Sequence, residues 1–146
     1  MKNSRYDMLK LENQLCFPLY ASAREVIRQY KPFLDEINLT YTQYIAMMVL
    51  WEDGAVSVKD LGDRLMLDSG TLTPLLKKME AKGLITRTRS AEDERVLIVA
   101  LTPMGAALRD RALDVPARMA QCSKLDPQDA AELHRILYKL LGRAPK

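Results

Sequence analysis

Residues 57–102 read SVKDLGDRLMLDSGTLTPLLKKMEAKGLITRTRSAEDERVLIVALT, and this stretch decides the fold. Leu72, Leu75, Leu76 and Met79 recur at the spacing of one buried helical face. That predicts a helix over 70–82, entered through Asp68-Ser69 and stopped at Gly83. A shorter helix over 58–65 precedes it, with Ser57 and Asp60 as cap candidates and Met66-Leu67 as the turn between the two. Residues 84–88 and 96–101 alternate as strands, joined by the polar tip 89–95. Helix, turn, helix, strand, tip and strand in that order make a winged helix-turn-helix, an arrangement that reads duplex DNA.

The outward face of the second helix carries Ser69, Gly70, Thr71, Thr73, Lys77 and Lys78. Small, hydroxylated and basic residues at a helix start suit entry into a major groove. Pro74 sits among them and deletes one backbone bond, to Gly70, so an irregular first turn is expected. From Ser69 to Arg89 the bases Lys77, Lys78, Lys82, Arg87 and Arg89 face a single acid, Glu80. A local positive face on a chain of net charge only +3 fits binding to a phosphate backbone. On the tip, Asp93 stands two residues before Arg95 and can hold its guanidinium in one orientation for a minor groove. Arg87 and Arg89 are expected on flanking phosphates. The tip alone would fit a solvated hairpin with a surface ion pair worth under ~1 kcal/mol. The helix in front of it turns the reading toward DNA.

At 146 residues the chain is expected to be one domain with a sizeable core. It contains no run of 18 apolar residues, and its start, MKNSRYDMLKLENQL, is too polar for a signal peptide. A cytoplasmic location with no membrane partner follows as the expectation. Two cysteines, Cys16 and Cys122, and one histidine, His134, form neither a disulfide framework nor a metal-binding set. No metal and no cofactor is therefore expected.

Leu15, Phe17, Leu19, Tyr20, Ala23, Val26, Ile27, Tyr30 and Leu34 make a wide helical stripe over 15–34. The helix should begin near Cys16, and Pro32 is a kink point. One partner helix cannot cover so much apolar surface, and a dimer interface is the natural outlet. Thr40 and Gln43 have capping-box spacing and start a second helix at about Tyr41, ended by Gly54. Its nearly continuous apolar run places Tyr44, Met47, Met48 and Trp51 in the core, with a possible second use as walls of a cavity near Cys16. Residues 55–58 suit a small strand. Residues 104–120 are helical in composition with a break at Pro116, and Cys122 falls in a loop over 121–125. Asp126-Pro127 open a last amphipathic helix through Ala130, Leu133, Ile136, Leu137, Leu140 and Leu141. It is expected to pack with the first helix at the dimer interface, leaving His134 on the surface. The fold class is mainly α with a small β wing. Within a single domain 1–146, segments 1–38 and 104–146 supply dimerisation helices and 40–102 the DNA-binding lobe.

The element order, the helix DSGTLTPLLKKMEAKGLI (68–85) and the segment DERVLIVALTPMG (93–105) resemble the MarR family of dimeric winged-helix repressors over nearly the whole chain. LENQLCFPLYASARE (11–25) and QYKPFLDEINLTYTQY (29–44) are similar to its OhrR branch, the organic-hydroperoxide sensors. The resemblance implies a homodimer on a pseudo-palindromic operator, released when the cysteine near the N-terminus is oxidised.

Cys16 stands near a helix start, where the dipole favours a thiolate, although Glu12 would oppose this if it were helical at i−4. Tyr20, at i+4, shares its face. Tyr30 is roughly 21 Å further along a continuous helix and cannot reach Cys16 of its own chain. The family pattern brings matching tyrosines to the sensor cysteine across the dimer interface, which groups Cys16, Tyr20 and Tyr30 into one site. By residue type alone, Cys16 fits a small core hydrophobe and the tyrosines fit interface filler. Cys122 resembles the second, resolving cysteine of some members, which would condense with the sulfenic acid of Cys16 across the dimer. It fits equally a thiol without a role, with an external thiol capping Cys16 instead.

The functional expectation is a redox-sensing repressor and not an enzyme, with operator DNA as partner and organic hydroperoxides as inducers. Two other readings stand beside it. One is a regulator released noncovalently by a phenolic or lipophilic ligand. The other is a thiol peroxidase, for which the sequence offers no Cys-x-x-Cys and no nearby general base.

Overall fold

The structure is a computed structural model in which residues 5–145 are described. The chain forms two compact units, one up to Val115 and one from Pro116 onward.

The first unit opens with two 3-10 turns, Asp7–Leu9 and Leu11–Asn13, followed by helix α1 (Cys16–Asp35). Glu12 lies in the second turn and not on α1, so it shares no helix with Cys16. Helix α1 runs through Pro32 without a break. It ends where Leu39 N donates to Leu34 O at 3.0 Å, with Asn38 in the left-handed region at φ 53°. Helix α2 (Tyr41–Asp53) starts one residue after Thr40. Gln43 N donates to Thr40 Oγ1 at 3.3 Å, and Thr40 N donates to Gln43 Oε1 at 3.1 Å. This reciprocal box satisfies two amides that a helix start leaves without partners.

Strand β1 (Val56–Ser57), helix α3 (Val58–Leu65), helix α4 (Ser69–Ala81), strands β2 (Ile85–Arg89) and β3 (Leu97–Leu101), and helix α5 (Pro103–Ala112) follow. The sheet order is β1-β3-β2, antiparallel throughout, with Val56 opposite Val99 and Arg89 opposite Leu97. Ser57 caps α3 through Oγ, which accepts from Asp60 N at 3.0 Å. The turn into α4 passes through Met66 in the left-handed conformation, and Leu67 N donates back to Gly62 O at 3.0 Å. A Cβ on Gly62 would lie 3.0 Å from Leu67 O and 3.3 Å from Leu72 Cδ2. Glycine there lets the turn fold back onto α3.

Leu34, Met47, Leu50, Leu61, Leu72, Leu76, Met79, Ile85, Val99 and Val115 form the centre of the core, each under 2% or at 2% exposure. Burying a side chain of this size contributes about 1.5–3 kcal/mol. Helix α2 is not buried all round. Tyr44 and Met47 belong to the core and Trp51 is half-buried, but Met48 is 44% exposed. The continuous apolar run hid a side of α2 that faces outward in this unit. At α5, Thr102 Oγ1 donates to Gly83 O at 2.6 Å and accepts from Gly105 N at 3.0 Å, and Trp51 Nε1 donates to Gly105 O at 3.0 Å. These bonds tie α5 to α2 and to the base of the wing.

Helix α6 (Val115–Cys122) begins the passage into the second unit. The chain breaks helix at Leu113-Asp114 and not at Pro116, which is the second residue of α6, where its missing N–H costs little. Cys122 is the last residue of α6 and not part of a loop: the helix continues until Ser123 N donates to Ala120 O at 3.2 Å. Helix α7 (Pro127–Leu141) is capped by Asp126 Oδ1, which accepts from Asp129 N at 2.8 Å. It exposes Leu133, Ile136, Leu140 and Leu141, and α1 exposes Phe17, Leu19, Val26 and Ile27. Among the described residues no helix is long and apolar enough to cross a membrane.

Candidate DNA interface and thiol site

The candidate reading face is built by the division of α4 into two sides. Leu72, Leu75, Leu76 and Met79 are buried, so the intervening positions turn outward by helical period. Ser69, Gly70, Thr71, Thr73, Pro74, Lys77 and Lys78 are all exposed. The start is fixed by Asp68, whose Oδ1 accepts from Thr71 N at 2.7 Å. Hydrogen bonds from Thr71, chiefly its amide, hold the Asp68 carboxyl below the usual carboxylate range. Pro74 lies within α4 and the helix runs on through it.

On the tip, Asp93 and Arg95 meet as the spacing predicts, across a turn at 94–95. Arg95 N and Nε donate to Asp93 Oδ1 at 3.0 and 3.1 Å, and Nη2 donates to Oδ2 at 3.2 Å. The Arg95 side chain is 90% exposed, so it is oriented without being buried. Those bonds from Arg95 hold the Asp93 carboxyl below its usual range. Arg89 is also exposed. Arg87 differs from the expectation. Its guanidinium is spent on Glu80 of α4, Nη2 donating to Oε2 at 2.9 Å, and its side chain is only 18% exposed. Strand β2 turns Arg87 toward α4, so the geometry makes it a brace between helix and wing before any phosphate is near.

The thiol candidates are distributed. Cys16 is the first residue of α1, exposed and free, and Cys122 is likewise exposed and free. Tyr20 is 59% exposed, with the Arg24 guanidinium 5.4 Å over its ring. Tyr30 belongs to the far end of the same helix, where its ring lies 5.0 Å from Tyr41 and 5.9 Å from Tyr44. Burial raises the Tyr30, Tyr41 and Tyr44 hydroxyls above the ordinary tyrosine value, so all three remain proton donors at neutral pH. The surface hollow next in sequence to Cys16 is lined by Lys10, Leu11, Glu12 and Phe17, not by Met47, Met48 or Trp51. Tyr41 is legible in the sequence only as a helix start; the tyrosine directly after the capping Thr40 is the one local signal for it. Glu80 and Lys82 were counted as charges only, since nothing local announces their partners.

The sequence family described as transcriptional regulator SarA/Rot matches residues 28–111. An organic hydroperoxide resistance transcriptional regulator of Bacillus subtilis is 53% identical over 94% of this chain and 94% of its own. The structure of reduced AbfR bound to DNA, a protein of Staphylococcus epidermidis, is similar with a TM-score of 0.80 and 30% identity, covering 97% of this chain and 95% of that one. The structure of disulfide-formed AbfR is similar with a TM-score of 0.65 and 33% identity, covering 97% and 99%. Matched over 94% of its length by that regulator, the chain belongs to the MarR family of winged-helix transcriptional regulators, in its organic-hydroperoxide-responsive OhrR branch.

Proposed function

We propose that the protein represses transcription as a homodimer on a pseudo-palindromic operator and is released when an organic hydroperoxide oxidises Cys16. The observation that carries this reading is the placement of polar groups at the two ends of α1. A free, exposed thiol opens the helix, and the hydroxyl donors Tyr30 and Tyr41 cluster near its other end. Two α1 helices paired antiparallel through their exposed apolar faces bring each thiol to the partner's tyrosine pair. Segments 1–38 and 104–146 supply that pairing, and 40–102 reads DNA through α4 in the major groove and Arg95 in the minor groove. As a DNA-bound regulator the protein works in the cytoplasm.

The thiolate sulfur attacks the outer peroxide oxygen, which keeps its hydrogen as the O–O bond breaks, and the alkoxide leaves, taking a proton from solvent to become the alcohol. Cys16 becomes a sulfenic acid, two electrons oxidised. A second thiol then attacks that sulfur and water leaves, giving a disulfide; Cys122 across the dimer is our candidate. One peroxide is consumed per sensor, so this is sensing and not turnover. The occurrence of AbfR both reduced on DNA and in a disulfide form supports the reading. Its test is titration of the reduced protein on operator DNA with cumene hydroperoxide. Wild type should dissociate and Cys16→Ser should stay bound; equal dissociation of both would favour a noncovalent inducer.

A further inference from the structure

Lys82 closes helix α4 at its C-cap, at the opposite end from the DNA-facing start. Its Nζ donates to Asn38 O at 2.7 Å and to Gln43 Oε1 at 2.8 Å. Asn38 lies in the short connection between α1 and α2, and Gln43 in the first turn of α2. Asn38 holds the left-handed exit of α1, and Gln43 is the capping-box residue of α2 and only 3% exposed. Gln43 Oε1 already accepts from Thr40 N, so the ammonium completes a buried acceptor that the local backbone half satisfies. A second cation grips the same connection from α5, where Arg111 Nη2 donates to Glu36 O at 2.6 Å. Between Asn38 and Gln43 in the chain stands Tyr41, whose ring packs at a tilt against Tyr30 of α1, centroids 5.0 Å apart.

The connection is thus held by the tyrosines and by the C-cap residue of the reading helix. Both Lys82 bonds reach groups fixed by backbone hydrogen bonds, so a shift of the α1 exit pulls directly on the end of α4. A charged donor makes a stronger hydrogen bond than a neutral one, and of the two acceptors Gln43 is buried and Asn38 exposed.

We propose that Lys82 is the positioning residue that couples the thiol-bearing helix to the reading helix, carrying the change at the α1–α2 connection into the orientation of α4. This rests on the redox reading given above. Coupling between two sites is a ratio of affinities, so its measure is the operator Kd of the peroxide-treated protein divided by that of the reduced protein. Lys82→Met keeps the apolar stem and loses every donor. Lys82→Arg keeps the charge and the donors.

The test compares full-length wild type, Lys82→Met and Lys82→Arg on a duplex selected in vitro by the reduced wild type, before and after cumene hydroperoxide, with Cys16 oxidation followed by mass spectrometry. In Lys82→Met, Cys16 should oxidise as in wild type while the affinity ratio falls by about tenfold or more toward one. Lys82→Arg should restore most of it. A purely structural lysine would lower the melting temperature and leave the ratio alone; a wild-type ratio in folded Lys82→Met overturns the proposal. Hydrogen exchange on wild type decides the matter if Lys82→Met does not fold. Oxidation should change protection in both 36–43 and 78–84, and a change confined to 36–43 overturns the coupling. If wild type oxidises at Cys16 and stays on the duplex, the redox reading itself falls and the coupling with it.

Discussion

Arg87 of β2 clasps Glu80 of α4 by side chain and backbone together. Its Nη2 and Nε donate to Oε2 at 2.9 and 3.3 Å, and its amide donates to Oε1 at 3.2 Å. The carboxylate ties the start of the wing to α4. Phosphate contacts set register only if helix and wing arrive together.

Glu80→Gln should therefore loosen the wing without unfolding the lobe. The expected result is operator binding weakened by about three- to tenfold, with melting temperature shifted only a few degrees. Arg87 holds the Glu80 carboxyl below its usual range. A depressed acid contributes stability that is fully present above its unfolded-state value and lost as pH falls through the folded value. The clasp should accordingly persist at neutral pH and fail only below the ordinary glutamate range. NMR titration of the Glu80 carboxyl in wild type and Arg87→Ala checks the sign: the alanine variant should titrate at higher pH.

Arg95→Ala should leave a folded dimer, since its side chain is 90% exposed and its ion pair with Asp93 is at the surface. Operator affinity should fall by about tenfold, roughly 1.4 kcal/mol. Asp93→Asn should weaken binding less, because it frees the guanidinium but does not remove it. Fluorescence anisotropy on the operator, at several salt concentrations, measures both; equal affinity for Arg95→Ala and wild type would remove the wing tip from the interface.

Cys122→Ser separates the two fates of the oxidised sensor. Treated with cumene hydroperoxide, wild type should run as a covalent dimer on a non-reducing gel, and Cys122→Ser should remain monomeric there while still forming the Cys16 sulfenic acid. An undiminished dimer band in the variant would assign resolution to another thiol.

Gly105→Ala tests the joint between α5 and the wing. A Cβ there would come 2.0 Å from Leu84 O, a backbone atom with nowhere to go. Loss of about 3 kcal/mol or more is expected, at the upper end of overpacking costs. Thr102→Ala removes a cap and a bond to Gly83 O and should cost about 1–2 kcal/mol. Chemical denaturation of each variant gives both values.

The sequence by itself determined most of what depends on local period and capping, though not the helix break at Leu113-Asp114 or the helical end at Cys122. The buried stripe of α4, the Thr40–Gln43 box, the Ser57 and Asp126 caps, the hairpin and the Asp93–Arg95 pair were legible because each is settled within about one helical turn or one strand turn. Cys16 at a helix start was legible for the same reason. Tertiary structure alone decided which charges are free. Arg87 and Lys82 look like members of one basic face in the sequence, yet one braces Glu80 and the other reaches Asn38 and Gln43, about forty residues away. It also exposed Met48 on a helix that reads as apolar throughout, and grouped Tyr30 with Tyr41 and Tyr44. Period and caps are properties of neighbouring residues, whereas the partner of a long charged side chain is set by how the elements pack. No spacing along the chain encodes that partner.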